Sequence, residues 1–333
     1  MFYIKSLIYK LFIVHVVAFQ LFAFSACKTE KTLFISTSFH EPANEGLRFI
    51  YSEDGLKWDS IPGTWMKPEI GVQQVLRDPS IVRTPDGVFH LVWTTSWKGD
   101  LGFGYANSTD LINWSIPQLI PVMKNEPTTV NVWAPELFYD DEKQEFVVVW
   151  ASCIPNRFAL GEEEEDNNHR LFYITTKDFK TISDTKLFYD PGFSSIDATI
   201  VKRAKLDYVM IFKDNTRPNR NLKVAFSTSP TGPYSKPSTA FSEEFVEGPT
   251  VEKIGTEYYI YFDEYRKFSF GAAKTTDFIH FINVSDKLNI PQGHKHGTIF
   301  KAPVSVISNL KKNYEISQKH KLSSSENILS DVK

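Results

Sequence analysis

The sequence repeats one short pattern five times, and this repetition constrains the fold more than any other feature. Each copy reads as a strand, then a turn rich in Ser or Thr, then an aromatic residue. The copies cover residues 49–58, 104–114, 172–180, 225–234 and 271–281. A β-sandwich does not explain five similar strand–turn–aromatic units at intervals of about 50 residues. The repeat therefore indicates an array of blades.

Short apolar segments before each copy supply further strands. One segment directly precedes every copy, at residues 33–36, 88–94, 145–152, 208–212 and 258–262. Four of these have another short strand upstream, at residues 79–83, 135–139, 198–202 and 249–253. The first copy lacks this partner, and residues 296–300 supply a matching segment at the other end. The sequence predicts an all-β, five-bladed β-propeller closed by pairing of the N- and C-terminal strands, which leaves no open edge.

The first 27 residues have the layout of a secretory signal. Lys5 and Lys10 precede an apolar run over residues 11–24, which is short for a membrane span. The stretch that ends in Cys27 resembles a bacterial lipoprotein cleavage box. This resemblance implies an exported protein that is anchored in the cell envelope, in the periplasm or on the outer surface, by a lipid on Cys27. Plain secretion is the alternative.

The two ends of the chain set the domain boundaries. We expect the catalytic propeller to occupy residues 28–310 as one domain. Residues 311–333 are polar and rich in Ser, Lys and Asn, and this composition predicts a disordered tail. No long helical periodicity occurs after the signal segment, so an α/β fold is disfavoured.

The starts of the five predicted inner strands carry the chemistry. They read Asp78-Pro79-Ser80, Ala134-Pro135-Glu136, Asp197-Ala198-Thr199, Glu247-Gly248-Pro249 and His296-Gly297-Thr298. Inner strands surround the axis of a propeller, so we expect these groups to converge at one mouth of the channel. An Asp or Glu before Pro or Gly is often only a turn former. Three carboxylates and a histidine in the same register favour a functional site, because like charges brought together raise one another's pKa.

These motifs together resemble glycoside hydrolase family 43, the five-bladed propeller arabinosidases and xylosidases. The matching segments are Arg77-Asp78-Pro79-Ser80, Trp133-Ala134-Pro135-Glu136, Ser195-Ile196-Asp197-Ala198-Thr199, Glu247-Gly248-Pro249-Thr250 and His296-Gly297-Thr298. The resemblance implies an inverting hydrolase that cleaves terminal glycosidic bonds in plant or algal polysaccharide fragments, as an α-L-arabinofuranosidase or a β-D-xylosidase does.

The resemblance also implies three catalytic roles. Asp78 corresponds to the general base that activates water, and Glu247 to the general acid that protonates the leaving oxygen. Asp197 corresponds to the residue that orients the acid and keeps its pKa high. Inversion needs two carboxyl groups on opposite sides of the bond, about 6.5–9.5 Å apart, with one ionised and the other protonated.

Six other residues are candidates for binding. We expect Trp97 to stack on a sugar face and Arg217 to bind hydroxyls or a carboxylate. Arg77, Trp133 and Glu136 are further candidates for substrate contact. The family resemblance places His296 beside a calcium or other ion in the central channel, although a structural histidine is an equal alternative. No organic cofactor is expected.

The net charge and the motifs present argue against several other functions. The formal net charge of −3 gives no reason to expect a nucleic-acid partner. The fructan- and sucrose-cleaving family 32 is disfavoured because its Asn-Asp-Pro-Asn-Gly and Glu-Cys-Pro motifs are missing. A family 117 enzyme acting on agar fragments, a propeller phosphorylase using Lys213, Arg217 and Arg220, and a non-catalytic glycan-binding lipoprotein remain as alternatives.

Overall fold

The structure is a computed structural model that describes residues 31–330, with side chains described as far as residue 321. The predicted signal segment and Cys27 lie outside the described residues. In the described part of the chain, no helix combines the length and the apolar character needed to cross a membrane.

Nineteen strands form five antiparallel sheets, and each sheet is one blade. Blade 1 consists of β1 (Thr32–Ser38), β2 (Leu47–Ser52), β3 (Trp58–Met66) and β19 (Ile299–Pro303). Blade 2 consists of β4 (Arg77–Arg83), β5 (Phe89–Thr94), β6 (Phe103–Ser108) and β7 (Gln118–Ile120). Blade 3 consists of β8 (Trp133–Asp140), β9 (Glu145–Cys153), β10 (His169–Thr176) and β11 (Lys186–Tyr189). Blade 4 consists of β12 (Ser195–Ala204), β13 (Asp207–Asp214) and β14 (Asn221–Ser227). Blade 5 consists of β15 (Glu247–Ile254), β16 (Glu257–Glu264), β17 (Ser269–Thr275) and β18 (Ile282–Asn283).

The ring closes through blade 1, as the sequence predicts. The last strand, β19, pairs antiparallel with the first, β1, and Ile35 lies opposite Phe300. β19 is therefore the inner strand of blade 1. The prediction of a five-bladed propeller closed by its terminal strands is confirmed.

The Ser/Thr-rich turn of each repeat is held by its own side chains. In blade 2, Ser108 Oγ accepts hydrogen bonds from the N–H groups of Asp110 and Leu111, at 3.2 and 2.9 Å. Asp110 Oδ1 in turn accepts from the N–H groups of Ile112 and Asn113. The pairs Ser52 and Asp54, Thr176 and Asp178, and Thr275 and Asp277 do the same in blades 1, 3 and 5. Such side-chain-to-backbone bonds explain why these residue types recur at this spacing.

The hydrophobic core lies between neighbouring blades. Buried clusters join blades 1 and 2, blades 2 and 3, blades 3 and 4, blades 4 and 5, and blades 5 and 1. Trp93, Trp150 and Phe212 are among the largest fully buried side chains. Each blade thus covers the apolar face of the next, which a single sheet cannot do alone.

Hydroxyl groups join the inner strands around the axis. Thr250 Oγ1 accepts the N–H of Ile299 at 3.1 Å, and Ser80 Oγ accepts the N–H of Leu137 at 3.0 Å. Because donor and acceptor belong to different blades, these bonds fix the rotation of one blade against the next.

Blade 4 has only three strands, and serine hydroxyls cover its outer edge. The N–H groups of Leu222 and Val224 on β14 donate to Ser242 Oγ at 2.9 Å and Ser238 Oγ at 3.1 Å. The backbone N–H of Ser238 donates to the carbonyl of Val224 at 2.9 Å. The segment that follows β14 therefore satisfies the edge strand without forming a fourth strand.

A helix, α1 (Val304–Ser330), follows β19. The polar composition predicts disorder from residue 311, but the helix continues from there to residue 330. Ile307 and Leu310, in the first two turns, are buried in the cluster between blades 1 and 2. Anchoring at this end starts the helix, and a polar composition with good helix formers such as Lys and Leu lets it continue.

The anchoring of α1 predicts unequal effects of two similar substitutions. Leu310→Ala removes a fully buried side chain and should lower the free energy of unfolding by about 2–5 kcal/mol. Ile316→Ala, on the same helix but 44% exposed, should cost much less. Urea denaturation of the two variants measures the difference. Equal small losses would mean that α1 is not docked on the propeller.

Candidate active site

Four inner strands begin with the same β-bulge. In blade 2, Arg77 pairs with Thr94, but the next pair is Ser80 with Val92, so the inner strand carries one extra residue. The same shift occurs at the starts of β8, β12 and β15. The extra residue has a left-handed backbone in every case, with φ of 50° at Asp78, 45° at Ala134, 53° at Asp197 and 58° at Gly248. A bulge redirects the side chains beside it, here at the mouth of the channel.

These bulges change the alignment of the inner-strand starts that the sequence suggests. Asp78 and Asp197 occupy the left-handed position, where blade 5 has Gly248. Glu247 is the last paired residue before the bulge, opposite Asp263, and so corresponds to Arg77. The placement of Glu247 at the same position as the two aspartates was wrong by one residue. Aligning Pro79, Pro135 and Pro249 would have given the correct register.

Despite this shift, most of the predicted site residues meet in one cleft. Its lining consists of Arg77, Asp78, Trp97, Trp133, Ile196, Asp197, Glu247 and His296. The structure therefore brings the three proposed catalytic carboxyl groups together, with two tryptophans and two basic side chains around them.

Asp78 is held as a carboxylate. His296 Nε2 lies 3.0 Å from its Oδ1, and the hydroxyl of Thr94 donates to its Oδ2 at 2.8 Å. Burial by itself would raise the pKa of Asp78, but the hydrogen bond from His296 and the charge of Arg77 outweigh it and lower the pKa to about 2. Asp78 is thus ionised at any ordinary working pH, as a general base must be.

Asp197 and Glu247 are shifted in opposite directions. Burial raises the pKa of Asp197 to about 6, against the attraction of Lys213. Burial also opposes ionisation of Glu247, but the nearby charges of Lys213 and His296 outweigh it, and the pKa of Glu247 is lowered. The role of Asp197 in keeping the pKa of Glu247 high stays a prediction. In the free cleft it is opposed by the Lys213 ammonium, which lies 2.9 Å from Glu247 Oε2.

Asp197 nevertheless makes a contact with blade 5 that positions Glu247. Its Oδ2 accepts the backbone N–H of Gly248 at 3.1 Å. Because Gly248 directly follows Glu247, this bond fixes the backbone from which the Glu247 side chain projects.

His296 bridges two aspartates. Its Nε2 contacts Asp78, and its Nδ1 lies 3.6 Å from Asp263 Oδ2. Burial opposes its protonation, but the nearby carboxylates of Asp263 and Asp78 raise the pKa of His296 well above its usual value. His296 is therefore a buried imidazolium between two carboxylates.

A calcium ion fits poorly beside His296. Glu247, Asp263 and His296 offer ligand atoms that lie within 4.8 Å of one another. Calcium prefers six to eight oxygen ligands. Here Lys213 already binds Glu247, and Lys295 Nζ lies 3.1 Å from Asp263 Oδ2. Two ammonium groups are thus already paired with the carboxylates that an ion would need.

Aromatic rings form one wall of the cleft. The guanidinium of Arg77 lies over the ring of Trp97, 3.9 Å from its centroid, and is paired with Glu41. Trp97 is 44% exposed, and its carbonyl accepts the indole N–H of Trp133 at 2.9 Å. Trp133 stacks on His169, with the ring centroids 4.7 Å apart. Arg77 is thus already paired, whereas the indole of Trp97 presents surface to solvent.

Glu136 does not line this cleft but the central channel, which Asp78, Asp197 and His296 also border. It lines the central channel with Ser80, Thr298 and the inner-strand backbone. Burial raises its pKa to about 7, although Ser80 and Thr199 hydrogen-bond to it. The Thr199 hydroxyl donates to Glu136 Oε1 at 2.9 Å. This places Glu136 among the groups that join the blades.

Arg217 does not line the cleft. Its side chain is 57% exposed and lies 3.9 Å from both Glu163 and Glu164. The buried Glu163 also accepts the backbone N–H of Arg217 at 2.9 Å and lies 3.5 Å from Arg220. These contacts join the loop after β9 to the loop after β13, so Arg217 holds two loops together.

Three important side chains were not assigned catalytic-site roles from the sequence. Thr94, Lys213 and Asp263 sit at or near the ends of the second strands of their blades, opposite Arg77, Ile196 and Glu247. Their common signal is a polar residue that ends an apolar strand, as in Phe212-Lys213 and Phe262-Asp263. Such residues reach the same mouth as the inner-strand starts, because adjacent strands are antiparallel.

Comparison with known proteins gives one family match. Residues 32–305 match the glycosyl hydrolase 43-related family, described as a probable glycosyl hydrolase domain. An α-L-arabinofuranosidase from Bifidobacterium longum subsp. longum is 25% identical over 148 residues, which is 38% of this chain but only 14% of that protein.

Solved structures share the fold at low identity. A thermostable family-43 glycoside hydrolase superimposes with a TM-score of 0.51 at 16% identity, over 67% of this chain and 78% of the other. An exo-β-1,3-galactanase from Phanerochaete chrysosporium gives a TM-score of 0.50 at 14% identity, over 63% and 50% of the two chains. At these identities the likeness concerns the fold alone.

The bulge in blade 5 predicts a strong requirement for glycine. A Cβ on Gly248 would lie 2.1 Å from the His296 ring, whereas one on Gly255 meets nothing within 4 Å. Both glycines have left-handed φ, so Gly255→Ala should cost only the backbone strain of about 1–2 kcal/mol. Gly248→Ala should cost about 1–3 kcal/mol more, because His296 must move. Urea denaturation compares them, and equal costs would contradict the packing described.

Proposed function

The chain belongs to the glycosyl hydrolase 43-related family, and from this premise we propose that it hydrolyses a terminal glycosidic bond with inversion of configuration. The observation that carries the proposal is the meeting of Asp78, Asp197 and Glu247 in one cleft. A family match covering residues 32–305 supports the reaction class.

Each of the three carboxyl groups is assigned one role in this reaction. Asp78, ionised and held by His296 and Thr94, takes a proton from the attacking water. Glu247 gives a proton to the leaving oxygen on the other side of the bond. Asp197 accepts the backbone N–H of Gly248, and its protonation is coupled to that of Glu247. In this scheme no step passes through a metal ion, and an ion in the channel stays a prediction from the sequence.

The substrate we propose is an arabinofuranoside or a xyloside at the end of a plant or algal polysaccharide fragment. The name of the Bifidobacterium relative, an α-L-arabinofuranosidase, supports this class of sugar. Trp97 offers an exposed indole face for stacking on the sugar ring.

The phosphorylase alternative loses its support. It rested on Lys213, Arg217 and Arg220 as a cluster for phosphate. Lys213 is bound to Glu247, and both arginines contact Glu163. A binding protein without catalysis remains an outcome of the test below. Export and lipid anchoring at Cys27 stay predictions from the sequence.

Turnover of a glycoside panel tests the proposal. The protein without residues 1–27 should release nitrophenol from an α-L-arabinofuranoside or a β-D-xyloside. Asp78→Asn should lower kcat by about 10²–10⁴-fold on the nitrophenyl glycosides, because it removes the base. Glu247→Gln should lower kcat by a similar factor on arabino- or xylo-oligosaccharides, whose poor leaving group needs the proton, and by less on the nitrophenyl glycosides. Asn tolerates the left-handed backbone at position 78, so that variant should fold.

The control for this test is Glu244→Gln, which changes an exposed carboxylate outside the cleft. It should leave kcat unchanged. Binding of arabino- and xylo-oligosaccharides without turnover by the wild type would favour the glycan-binding alternative. If the wild type shows no binding and no turnover with the panel and these oligosaccharides, the proposed substrate is contradicted.

The pKa shifts predict a pH profile. Asp78 stays ionised down to pH of about 2, so the base does not limit the rate at ordinary pH. The acid must be protonated, and the last proton of the Asp197 and Glu247 pair is lost as pH rises through about 6. We expect kcat/KM to fall above about pH 6. A profile that is flat from pH 5 to about 8 would contradict this assignment of the proton.

A further inference from the structure

Lys213 is the most unusual charged group beside the proposed acid. It is 2% exposed, and its Nζ donates to Glu247 Oε2 at 2.9 Å. Its ammonium also lies over the ring of Tyr265, 4.9 Å from the centroid. A buried lysine is costly unless it is paired, so this contact is built into the site.

The strand register explains how Lys213 reaches Glu247. Lys213 lies on β13 in register with Ile196, the residue before Asp197. Glu247 begins the inner strand of the next blade. The lysine therefore crosses from blade 4 to blade 5 and lies next to both carboxyl groups of the Asp197 and Glu247 pair.

The contact between Lys213 and Glu247 conflicts with the action of Glu247 as a general acid. Glu247 must carry a proton to protonate the leaving oxygen. An ammonium at hydrogen-bond distance favours the carboxylate, which has no proton to give. The free cleft therefore holds Glu247 in place but in the unreactive form, and binding of substrate has to change this contact.

We propose that Lys213 is a positioning residue for the reaction: its ammonium holds the Glu247 carboxylate in place until the leaving oxygen of the bound glycan displaces it, whereupon the proton held by Asp197 passes to Glu247 and from there to the leaving oxygen. This inference rests on the proposed function, because it concerns the acid of that reaction. It gives Lys213 two effects, on where Glu247 points and on which carboxyl of the pair holds the proton.

Other charged groups around Glu247 also influence its pKa. By element, they are Arg77 and Asp78 on β4, Asp197 on β12, Asp263 on β16, and His296 before β19. His296 also lowers the pKa of Glu247, but it is already shared between Asp78 and Asp263, and Arg77 is paired with Glu41. Removing Lys213 therefore leaves burial as the main influence on Glu247.

The direct test is titration of Glu247 by NMR of carboxyl-labelled glutamate, assigned through Glu247→Gln. In the wild type, Glu247 should titrate below the usual range of a glutamate. Lys213→Met should raise its pKa by at least about one unit, because burial is no longer opposed. Lys213→Arg, which keeps the charge, should stay near the wild type. Lys295→Met, a matched loss of the lysine on Asp263, should change Glu247 much less.

Kinetics supplies the second readout. In Lys213→Met the alkaline limb of kcat/KM should move upward by about one pH unit, as the Glu247 titration does. The kcat at the optimum should fall by about 10- to 100-fold, because Glu247 is no longer aimed, whereas KM should change little. A purely structural role would lower the rate at every pH and leave the limb in place.

The outcomes separate the two proposals. An unchanged Glu247 titration in folded Lys213→Met overturns the role of Lys213, whatever happens to the rate. If the wild type also turns over no glycoside, the proposed function fails, and the titration alone still decides whether Lys213 controls Glu247. Should Lys213→Met fail to fold, Lys213→Gln removes the charge, keeps a hydrogen-bond donor and carries the same test.

Discussion

Pairing of β19 with β1 is the interaction on which the rest of the structure depends. It completes blade 1 and gives each blade two neighbours, so every apolar face is covered. It also fixes the segment before β19, which carries His296. Closure of the ring and assembly of the cleft are therefore one event, because His296 meets Asp78 and Asp263 only when the last strand is in place.

Charge balance then decides the chemistry of the cleft. Carboxylates from blades 2, 4 and 5 converge there, and each contacts a different partner. Asp78 has the imidazolium of His296, and Glu247 has the ammonium of Lys213. Asp197 accepts a backbone N–H, and burial raises its pKa against the attraction of Lys213. Proximity of acids alone does not set which of them keeps a proton; the position of the cations does.

The sequence predicts the blades well because local rules produce them. Turns such as Ser108 with Asp110 use side chains within a few residues of one another. The convergence of Asp78, Asp197 and Glu247 follows from the same repeat. The roles of Lys213 and Asp263 could not be read in this way, since each contacts a group of the adjacent blade. The start of α1 was missed because Ile307 and Leu310 acquire their partners only in the closed ring.

The serine-lined edge of blade 4 has a consequence for behaviour in solution. An outer strand with free N–H groups is a template for adding strands from other molecules, which leads to aggregation. On β14 the N–H groups of Leu222, Val224 and Phe226 are already taken by hydroxyls. A neighbouring molecule would have to displace one serine hydroxyl for each of these N–H groups that it bonded, so the blade with the fewest strands is still protected against edge-to-edge association.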